Sequence, residues 1–554
     1  MIVVGLNLGV TRYSKTLKDG GVCIIDNGKI VLATAEERIS RIKYGGGFDK
    51  SLPFCLSHLG LSPNDIDALV ISSCCEIIRN PRDIPVSGLI SPQEVYPINH
   101  HYSHALSAFM ASPFEEALII VLDGGGNLLD SNNAEWWVSR REQSSYYLGK
   151  DILVKLIGRD FENPFESGLG EVYRYFTHHL GWRTSDAGKV MALAALGNPN
   201  RFNDHKLFDF DPDSGILTSR ISNDPLNQLT LYEYLRSSGY GEIIPRKPEE
   251  DITQIHMDLA RHVQDEIGNA ITSKVAYLSK TTGIKNVCLA GGVALNCVVN
   301  EKILTEIPID NIFIQPAAGD QGQSIGNAIY GSMKYGEWKR NQVFFNPYLG
   351  AEYDWDKQIS RLSIGENISF YRIENKEKLT QVIAEQIASG RLVGWVQGRS
   401  EVGPRALGNR SILGDPRDIK TKARLNVIKN REWFMPIAPS IMEEELHKYF
   451  DTNISSPYML RAVRSTQTAH REIPAVVHYN GSSRIQTVNR IQNPVFYELL
   501  LCFKSISNGV PVLANTSFNR HGEPIVENAE DALVSFLGMD LNTLVIGNWI
   551  IEKS

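Results

Sequence analysis

The chain has 554 residues, of which 42% are hydrophobic and 21% are charged, with a formal net charge of -7. This length exceeds what one hydrophobic core normally serves, so two or three domains are expected. The acidic balance argues against a nucleic-acid or anionic-membrane partner, and no apolar run is long enough to span a bilayer. The seven cysteines form no zinc-type CxxC pair, so we expect reduced thiols in a cytoplasmic protein without a leader peptide.

Buried strands are predicted where β-branched runs lead into glycine. They are IVVGLNLG at the start, ALIIVLDGGGN near residue 120, NVCLAGGVALN near 290 and NIFIQPAAGDQG near 315. Between them, residues 258–280 carry apolar positions at helical spacing. Strands and helices that alternate in this way predict an α/β layer structure.

A domain boundary is predicted where this rhythm breaks. Residues 334–356 are rich in aromatic residues, Asn and Pro, and a new series of strands and helices begins near Glu366. We therefore predict a first domain over residues 1–348 and a second over residues 349–554. The helix EKLTQVIAEQIASG and the strand RLVGWVQ open the second domain.

A metal site is predicted in the first domain. The segment INHHYSHALSAF places His100 and His104 four residues apart, which puts both imidazoles on one face of a helix. Asp123 and Asp320 each lie where a predicted buried strand ends and a glycine-rich turn begins. Imidazole with carboxylate suits Fe(II), Mn(II) or Zn(II), and the sequence does not rank them. Two hydrogen-bonded core histidines are the alternative.

Three glycine-rich turns, DGGG, AGGVALN and AAGDQGQSIG, resemble the phosphate-binding turns of the actin, sugar-kinase and Hsp70 superfamily. They predict nucleotide contacts, with a purely structural turn as the alternative for each one alone. The basic segment DAGKVMALAALG adds Lys189, for which a core helix start is the alternative. The candidate cofactor-binding residues are Gly124, Gly125, Gly291, Gly292, Asn296 and Lys189.

An anion site is predicted in the second domain. Between residues 398 and 440, cations are interleaved with Gly, Pro and Asn rather than laid along a helix face. They are Arg399, Arg405, Arg410, Arg417, Lys429 and Arg431. Arginine forks grip phosphate or carboxylate oxygens, and glycine lets backbone N–H groups join them. A solvated basic loop is the alternative.

Taken in order, the motifs resemble those of the O-carbamoyltransferases of nodulation-factor and antibiotic biosynthesis. They include EERISRIK, NHHYSHALSAF, LDGGGN, GKVMALAALG, GGVALNC, GDQGQSIGNA, GRSEVGPRALGNRSILGDPR, RIQTV and NTSFNRHGEPIV. The resemblance runs from about residue 32 to residue 530. It implies an N-terminal actin-like, TsaD-like domain of two lobes, followed by a C-terminal YrdC-like α/β domain.

The resemblance also implies a two-step reaction of specialised metabolism. The C-terminal domain makes carbamoyladenylate from carbamoyl phosphate and ATP, and the N-terminal domain transfers the carbamoyl group to a hydroxyl of a small molecule. We expect ATP with Mg(II), and Fe(II) as the first choice for the His/Asp site. The implied catalytic residues are His101, Lys43, Arg405 and Arg410, and the implied substrate-binding residues are Lys429, Arg431, Arg484, Asn515, Ser517 and Asn519.

Two positions depart from the family pattern. Lys18 and Asp19 stand where relatives carry a His-Asp sequence, so no N-terminal catalytic histidine is carried over. Met435 stands where an arginine is common, which removes one cation from the anion site.

Other functions remain open at this stage. An actin-like sugar kinase or ATPase with an anion-binding C-terminal domain is the second hypothesis, although such kinases usually lack an H-x-x-x-H motif. A non-catalytic nucleotide-binding or tRNA-associated module is the third, and the acidic balance argues against it. The acceptor is not identified: loops 76–99 and 200–256 either line its pocket or cover the surface. Monomer and homodimer are both compatible with the sequence.

Overall fold

The computed structural model describes residues 1–10, 18–75, 90–128, 140–162, 166–222, 230–340, 345–362 and 368–553. Parts of the two candidate acceptor loops, residues 76–89 and 223–229, lie outside this description. The chain divides into two compact units. The first comprises Met1–Glu36 and Gly45–Phe345, and the second comprises Glu37–Tyr44 and Asn346–Ser554. The short N-terminal segment 37–44 therefore belongs with the C-terminal part of the chain.

The chain up to residue 334 alternates strands and helices. These elements are β1 (Ile2–Val10), β2 (Gly21–Asp26), β3 (Lys29–Ala35), α1 (Glu36–Ser40), α2 (Ser51–Leu59), β4 (Ala68–Cys74), β5 (Glu94–Pro97), α3 (His100–Phe109), β6 (Glu116–Leu122), β7 (Arg141–Lys150), β8 (Leu153–Glu162), α4 (Leu169–His179), α5 (Ala187–Leu193), β9 (Phe208–Phe210), β10 (Leu217–Ser219), α6 (Thr230–Ser237), α7 (Gln254–Thr282), β11 (Asn286–Ala290), α8 (Cys297–Glu306), β12 (Asn311–Ile314) and α9 (Gln323–Lys334). The predicted strands are β1, β6, β11 and β12, and the predicted long helix is α7.

Unit 1 contains two five-stranded sheets with the same topology. One sheet has the order β3-β2-β1-β4-β5, and the other has the order β8-β7-β6-β11-β12. In each, three antiparallel strands are followed by two parallel ones. This duplicated arrangement is the actin-like fold, so the predicted fold class is confirmed. The carboxyl ends of β6 and β12 lead into the glycine-rich turns that carry Asp123 and Asp320.

Helices α3 and α9 pack against each other between the two sheets. Glycines make the close approach possible: a Cβ at Gly326 would overlap the carbonyl of Ser103, and one at Gly5 would overlap the backbone of α9. The Ser103 hydroxyl is also within hydrogen-bond distance of the Gln323 carbonyl and the Asn327 side chain. Because no side chain separates them, the first turn of α9 lies directly beside the first turns of α3.

The rest of the chain forms unit 2 together with segment 37–44. Its elements are α10 (Trp355–Ile359), β13 (Ile368–Arg372), α11 (Lys376–Ala388), β14 (Val393–Val396), β15 (Arg410–Gly414), α12 (Lys420–Ile428), β16 (Ala438–Met442), α13 (Leu446–Tyr449), β17 (Ala462–Arg464), α14 (Gln467–Glu472), β18 (Ser482–Arg484), β19 (Gln486–Val488), α15 (Pro494–Ile506), β20 (Val512–Ser517), α16 (Ala529–Leu537), β21 (Thr543–Ile546) and β22 (Trp549–Lys553).

One eight-stranded mixed sheet organises unit 2, in the order β13-β22-β21-β14-β15-β20-β16-β19. Its central strands are buried over their whole length, and Trp395, Phe496 and Phe518 belong to the apolar core packed around them. The ends of β15 and β20 carry the cationic segment and the NTSFN turn. In the described part of the chain, no helix has both the length and the apolar character needed to cross a bilayer.

Candidate metal centre and cation cluster

The predicted metal ligands come together in unit 1. Asn99 caps α3, since its side chain accepts a hydrogen bond from the Tyr102 amide, and the helix then presents His100 and His104 one turn apart. Asp123 follows β6, and Asp320 lies in the turn that leads into α9. One donor atom from each of these four residues falls within 4.8 Å of the other three. The predicted ligands are thus close enough together to form a candidate metal site, and their role as ligands stays a prediction.

The geometry pairs each imidazole with a carboxylate. His100 Nε2 lies 3.0 Å from Asp123 Oδ2, and His104 Nε2 lies 3.3 Å from Asp320 Oδ1. Both rings are fully buried. Burial alone lowers the pKa of His100, but the nearby carboxylates of Asp320 and Asp123 outweigh it and raise the pKa to about 10. His100 contacts both charges, which holds the pKa of each carboxyl below its usual value despite burial.

This donor set fits a divalent metal ion. Two imidazole nitrogens and two carboxylate oxygens, buried and convergent, are ligands for Fe(II), Mn(II) or Zn(II). Sequence reasoning missed Gln323, whose Nε2 lies 3.2 Å from Nε2 of both histidines and 3.4 Å from Asp320 Oδ1. Its position three residues after Asp320 at the start of α9 is the signal that could have found it.

Asp123 also fixes one of the glycine-rich turns. Its Oδ1 accepts a 2.9 Å hydrogen bond from the Gly292 amide, and Gly291 has a φ of 90°, which a side chain rarely adopts. Gly124 is exposed, and a Cβ there would meet nothing within 4 Å. The DGGG and AGGVALN turns therefore meet at Asp123, and the DGGG turn leaves open space next to it.

The other predicted cofactor residues differ in their surroundings. Gly125 has a φ of 156°, which residues with a side chain rarely adopt, and a Cβ there would overlap the Arg141 guanidinium. Asn296 caps α8 through the Val299 amide, so its carbonyl oxygen is already engaged. Lys189 lies 3.9 Å from Asp186 and faces the ring of Trp182. Their roles in nucleotide binding stay predictions.

His101 is placed differently from its two neighbours. It is fully buried, and its Nδ1 lies 2.7 Å from the Ser145 hydroxyl. Burial, followed by the charge of His100, holds the pKa of His101 well below its usual value. A histidine with a lowered pKa is mostly neutral at neutral pH, and the predicted role of His101 as general base stays a prediction.

Unit 2 brings together four of the predicted anion-binding residues. The buried Lys429 ammonium donates to the carbonyl and hydroxyl oxygens of Ser517 and to both the carbonyl and side-chain oxygens of Asn519. Arg431 donates to the Thr516 hydroxyl at 3.1 Å. The NTSFN segment and the residues after α12 are therefore in contact, and the charges of Lys43 and Arg484 act on the same residues. We call this group the cation cluster: Lys43, Lys429, Arg431, Arg484, Ser517 and Asn519.

Several positive charges lie close together in this cluster. Burial, followed by the charges of Arg431 and Lys43, lowers the pKa of Lys429 well below its usual value, against a smaller opposing effect of Glu523. Burial and the charge of Arg484 lower the pKa of Arg431 to about 10. Lys43 thus belongs to unit 2, although its position in the sequence predicts the N-terminal domain. The reason is that segment 37–44 packs on the C-terminal unit.

The Gly-Pro-Arg loop is held by an internal carboxylate. Glu401 is buried, and its Oε1 accepts hydrogen bonds from the amides of Leu407, Asn409 and Arg410 at 2.6–3.2 Å. The sequence predicts that backbone N–H groups of this loop join an anion site. Three of them are instead occupied by Glu401. Arg405 is half-buried on the same loop.

Two predicted site residues, Arg410 and Asn515, are buried and hydrogen-bonded to other parts of the protein. The Arg410 guanidinium is fully buried and donates to the carbonyls of Gln397, Gly398, Asn409 and Glu527. These bonds occupy most of the N–H groups of the guanidinium, and the catalytic role predicted for Arg410 stays a prediction. Asn515 is also fully buried, and its amide bonds Ser440 and Gln486 side chains within the sheet, so a direct substrate contact is not what this geometry offers.

Comparison with known proteins decides the family. Residues 7–81 and 89–329 match the family described as Carbamoyltransferase N-terminus, and residues 384–553 match Carbamoyltransferase C-terminus. The chain belongs to the carbamoyltransferase family. The resemblance stated from the motifs is confirmed, and the protein is a carbamoyltransferase enzyme.

Named relatives span nearly the whole carbamoyltransferase chain. The nodulation protein NolNO of Sinorhizobium fredii is 32% identical over 100% of this chain and 83% of its own length. The 3'-hydroxymethylcephem-O-carbamoyltransferase of Streptomyces clavuligerus is 29% identical over 96% of both chains. A solved structure of full-length HypF covers 61% of this chain and 47% of its own at 13% identity, with a TM-score of 0.35. A structural similarity this low adds nothing to the fold assignment, which rests on the strand order.

Proposed function

We propose that the protein is an ATP-dependent O-carbamoyltransferase, in which unit 2 makes carbamoyladenylate and unit 1 transfers the carbamoyl group to a hydroxyl of a small molecule. The observation that carries this proposal is the cation cluster: a buried lysine crowded by like charges in a protein of net charge -7. Such an arrangement is costly without a counter-charge, which an anionic ligand supplies.

Carbamoyl phosphate and ATP match this requirement. In the described residues, the oxygens bonded to the Lys429 ammonium are all neutral, from Ser517 and Asn519. The partly exposed Arg431 has a planar fork suited to phosphate oxygens. Arg431 binds phosphate oxygens through this fork, while Lys429, held by the oxygens of Ser517 and Asn519, contributes positive charge beside them. Lys43 brings a further positive charge to the same cluster.

The activation step balances with one water molecule from solvent. Water cleaves carbamoyl phosphate to carbamate and inorganic phosphate, and a carbamate oxygen then attacks the α-phosphorus of ATP. The bond from the α-phosphorus to the bridging oxygen breaks, and pyrophosphate departs with Mg(II). Charge on the α-phosphate grows in this step, so fixed cations lower its barrier through preorganised electrostatics.

Unit 1 offers a site for the transfer step. The acceptor oxygen attacks the carbamoyl carbon, loses its proton, and displaces AMP. His100, His104, Asp123 and Asp320 would hold a divalent metal, Fe(II) in our proposal, which when bound supplies Lewis acidity for a phosphate or carbonyl oxygen. Asp123 orients the AGGVALN turn through the Gly292 amide, next to the open space at Gly124. The carbamoyltransferases that act on 3'-hydroxymethylcephem support a hydroxyl acceptor.

Nucleotide product analysis tests the proposal. Purified protein is incubated with ATP, Mg(II), Fe(II) and carbamoyl phosphate without an acceptor, and pyrophosphate, AMP and ADP are quantified. We expect pyrophosphate only when carbamoyl phosphate is present. ADP as the main product would support the sugar-kinase hypothesis instead.

A matched pair of arginine variants controls this experiment. Arg431→Met removes a fork from the cation cluster and should abolish most pyrophosphate formation. Arg417→Met lies in the same cationic segment, but Arg417 pairs with Asp415, so this variant should keep it. Equal loss in both variants would argue against anion recognition by the cluster.

A further inference from the structure

A pair of adjacent thiols lies beside the candidate metal centre. Cys74 ends β4 and Cys75 follows it, and their Sγ atoms are 3.5 Å apart. Both residues are buried, and neither forms a disulfide bond. Neither is needed for the metal centre or the cation cluster. The two side chains are therefore close enough to react with each other after a small movement.

The pair is tied to the turn that follows Asp123. The Cys74 thiol donates to the Gly125 carbonyl at 3.0 Å. The Cys75 amide donates to the Gly126 carbonyl, and the Cys75 carbonyl accepts from the Leu128 amide. A change at these sulfur atoms thus reaches the backbone directly after a candidate metal ligand.

The backbone at this point is unusual for a cysteine. Cys75 has a φ of 69°, in the left-handed region that residues with a Cβ rarely occupy. Such a conformation is retained only where the surroundings enforce it, and it often marks a functional position. Here the hydrogen bonds to Gly126 and Leu128 enforce it.

The surroundings also distinguish the two thiols. The hydrogen bond from Cys74, with help from the charge of Arg141, lowers the pKa of Cys75 to about 6 although burial opposes it. The same hydrogen bond and burial raise the pKa of Cys74 well above its usual value. Cys75 is thereby suited to attack as a thiolate, and Cys74 retains a thiol that can resolve the product.

We propose that Cys74 and Cys75 form a peroxide-sensitive pair that closes reversibly to a vicinal disulfide. The Cys75 sulfur attacks one peroxide oxygen, the O–O bond breaks, and one water leaves, which gives a sulfenic acid. The Cys74 sulfur then attacks the sulfenic sulfur and displaces a second water. Two thiols are oxidised by two electrons and one hydrogen peroxide is reduced to two waters.

Adjacent cysteines make this bond easy to reverse. Neighbouring Cα atoms are roughly 3.8 Å apart, below the range of about 4.4–6.8 Å in ordinary disulfides. The bond is therefore strained, and strained disulfides are the readily reduced ones. Closure also removes the thiol hydrogen that Cys74 donates to Gly125, so the turn after Asp123 loses one of its supports.

Peptide mass analysis after mild hydrogen peroxide treatment tests the modification. Digestion with trypsin and an Asp-specific protease releases residues 67–79, which contain Cys74 and Cys75 as their only cysteines, and residues 51–64, which contain Cys55. We expect residues 67–79 to lose two hydrogen atoms, to resist alkylation, and to take up two alkyl groups after dithiothreitol. The buried, single Cys55 should stay reduced and serves as the internal control.

Single variants separate this reaction from general oxidation. In Cys74→Ser the 67–79 peptide should stop at oxygen addition on Cys75, and in Cys75→Ser it should stay unmodified. Two alkylatable thiols in the peroxide-treated wild type, or oxygen addition without the loss of hydrogen, would overturn the proposal.

An activity measurement shows what the pair controls, and only this measurement rests on the proposed function. Wild-type carbamoyl transfer should fall several-fold after peroxide and recover with dithiothreitol, while Cys75→Ser should keep its activity under the same treatment. The variant shares the metal centre, so equal losses in both proteins would assign the effect to metal oxidation and overturn regulation by the pair.

Discussion

The contact between Gly126 and His101 makes a sharp test at the scale of single residues. A Cβ at Gly126 would lie 2.7 Å from both His101 Nε2 and Glu142 Oε2, which overpacks a buried polar site. We expect Gly126→Ala to lower the free energy of unfolding by about 1–3 kcal/mol. Gly124→Ala, where nothing lies within 4 Å, is the control. Thermal unfolding compares them, and equal midpoints would contradict the tight packing.

We expect the Lys429 side chain to take up a proton when the anion binds. In the free protein, burial and the charges of Arg431 and Lys43 lower its pKa, so it loses its proton more readily than an exposed lysine. A bound anion reverses this effect and raises the pKa, and the lysine therefore gains a proton. It follows that carbamoyl phosphate binds more tightly as the pH falls.

Calorimetric titration at pH 8 in buffers of different ionisation enthalpy measures this proton. A phosphate group has a second pKa of about 6, so the ligand itself takes up none at that pH. Lys429→Arg is the matched variant, because arginine stays protonated throughout and should bind without proton uptake. A wild-type protein that binds with no uptake would contradict the prediction.

At the scale of elements, segment 37–44 is the feature with the largest consequences. Arg38 is buried in unit 2, donates to the carbonyls of Glu401 and Gly403, and lies 4.0 Å from the buried carboxylate of Glu527. Removing one partner of a buried ion pair costs about 3–5 kcal/mol. We therefore expect Arg38→Met to loosen the contacts of this segment with the Glu401 loop.

Hydrogen exchange locates that effect. In Arg38→Met, amides of residues 37–44, 401–410 and 524–531 should exchange faster, whereas those of β11 in unit 1 should not change. The exposed Arg471 side chain, 71% accessible, gives a control in Arg471→Met, since exposed pairs contribute about 0–1 kcal/mol. Uniform acceleration over both units would contradict a local role for Arg38.

The sequence predicts those elements whose signals are local. The H-x-x-x-H spacing, the strand-to-glycine transitions at Asp123 and Asp320, and the periodicity of α7 all appear as predicted, because helix faces and strand ends follow from short-range pattern. The motifs also pointed to the family, which the comparisons confirm.

The surroundings of the other site residues depend on contacts between segments that are distant in the chain, and such contacts produce no periodic pattern in the sequence. From the sequence, Arg410 is predicted to be a cation available to a ligand. Only the fold shows that its guanidinium donates to four backbone carbonyls. Segment 37–44 is N-terminal in the chain yet packs in unit 2. Gln323 joins the histidines only because α9 lies flush on α3.

At the scale of the whole molecule, two sites in two units predict separable half-reactions. His104→Ala removes one candidate ligand in unit 1, while the cation cluster of unit 2 is untouched. We expect this variant to keep pyrophosphate formation within about two-fold and to lose transfer to an acceptor by about 100-fold or more. Arg431→Met should lose pyrophosphate formation by about 10- to 100-fold, because a charged hydrogen bond contributes about 1.5–3 kcal/mol, and transfer should fall in proportion.

Pyrophosphate release and acceptor carbamoylation, measured in the same reaction, distinguish the two patterns. Arg220→Ala in unit 1 is the control, since Arg220 pairs with Asp209 at the surface and neither rate should change. Chelation is less informative than His104→Ala, because a chelator also withdraws Mg(II) from ATP. A folded His104→Ala protein that loses both rates equally would mean that the histidine-carboxylate centre also serves adenylate formation, and the division of labour between the units would then be wrong.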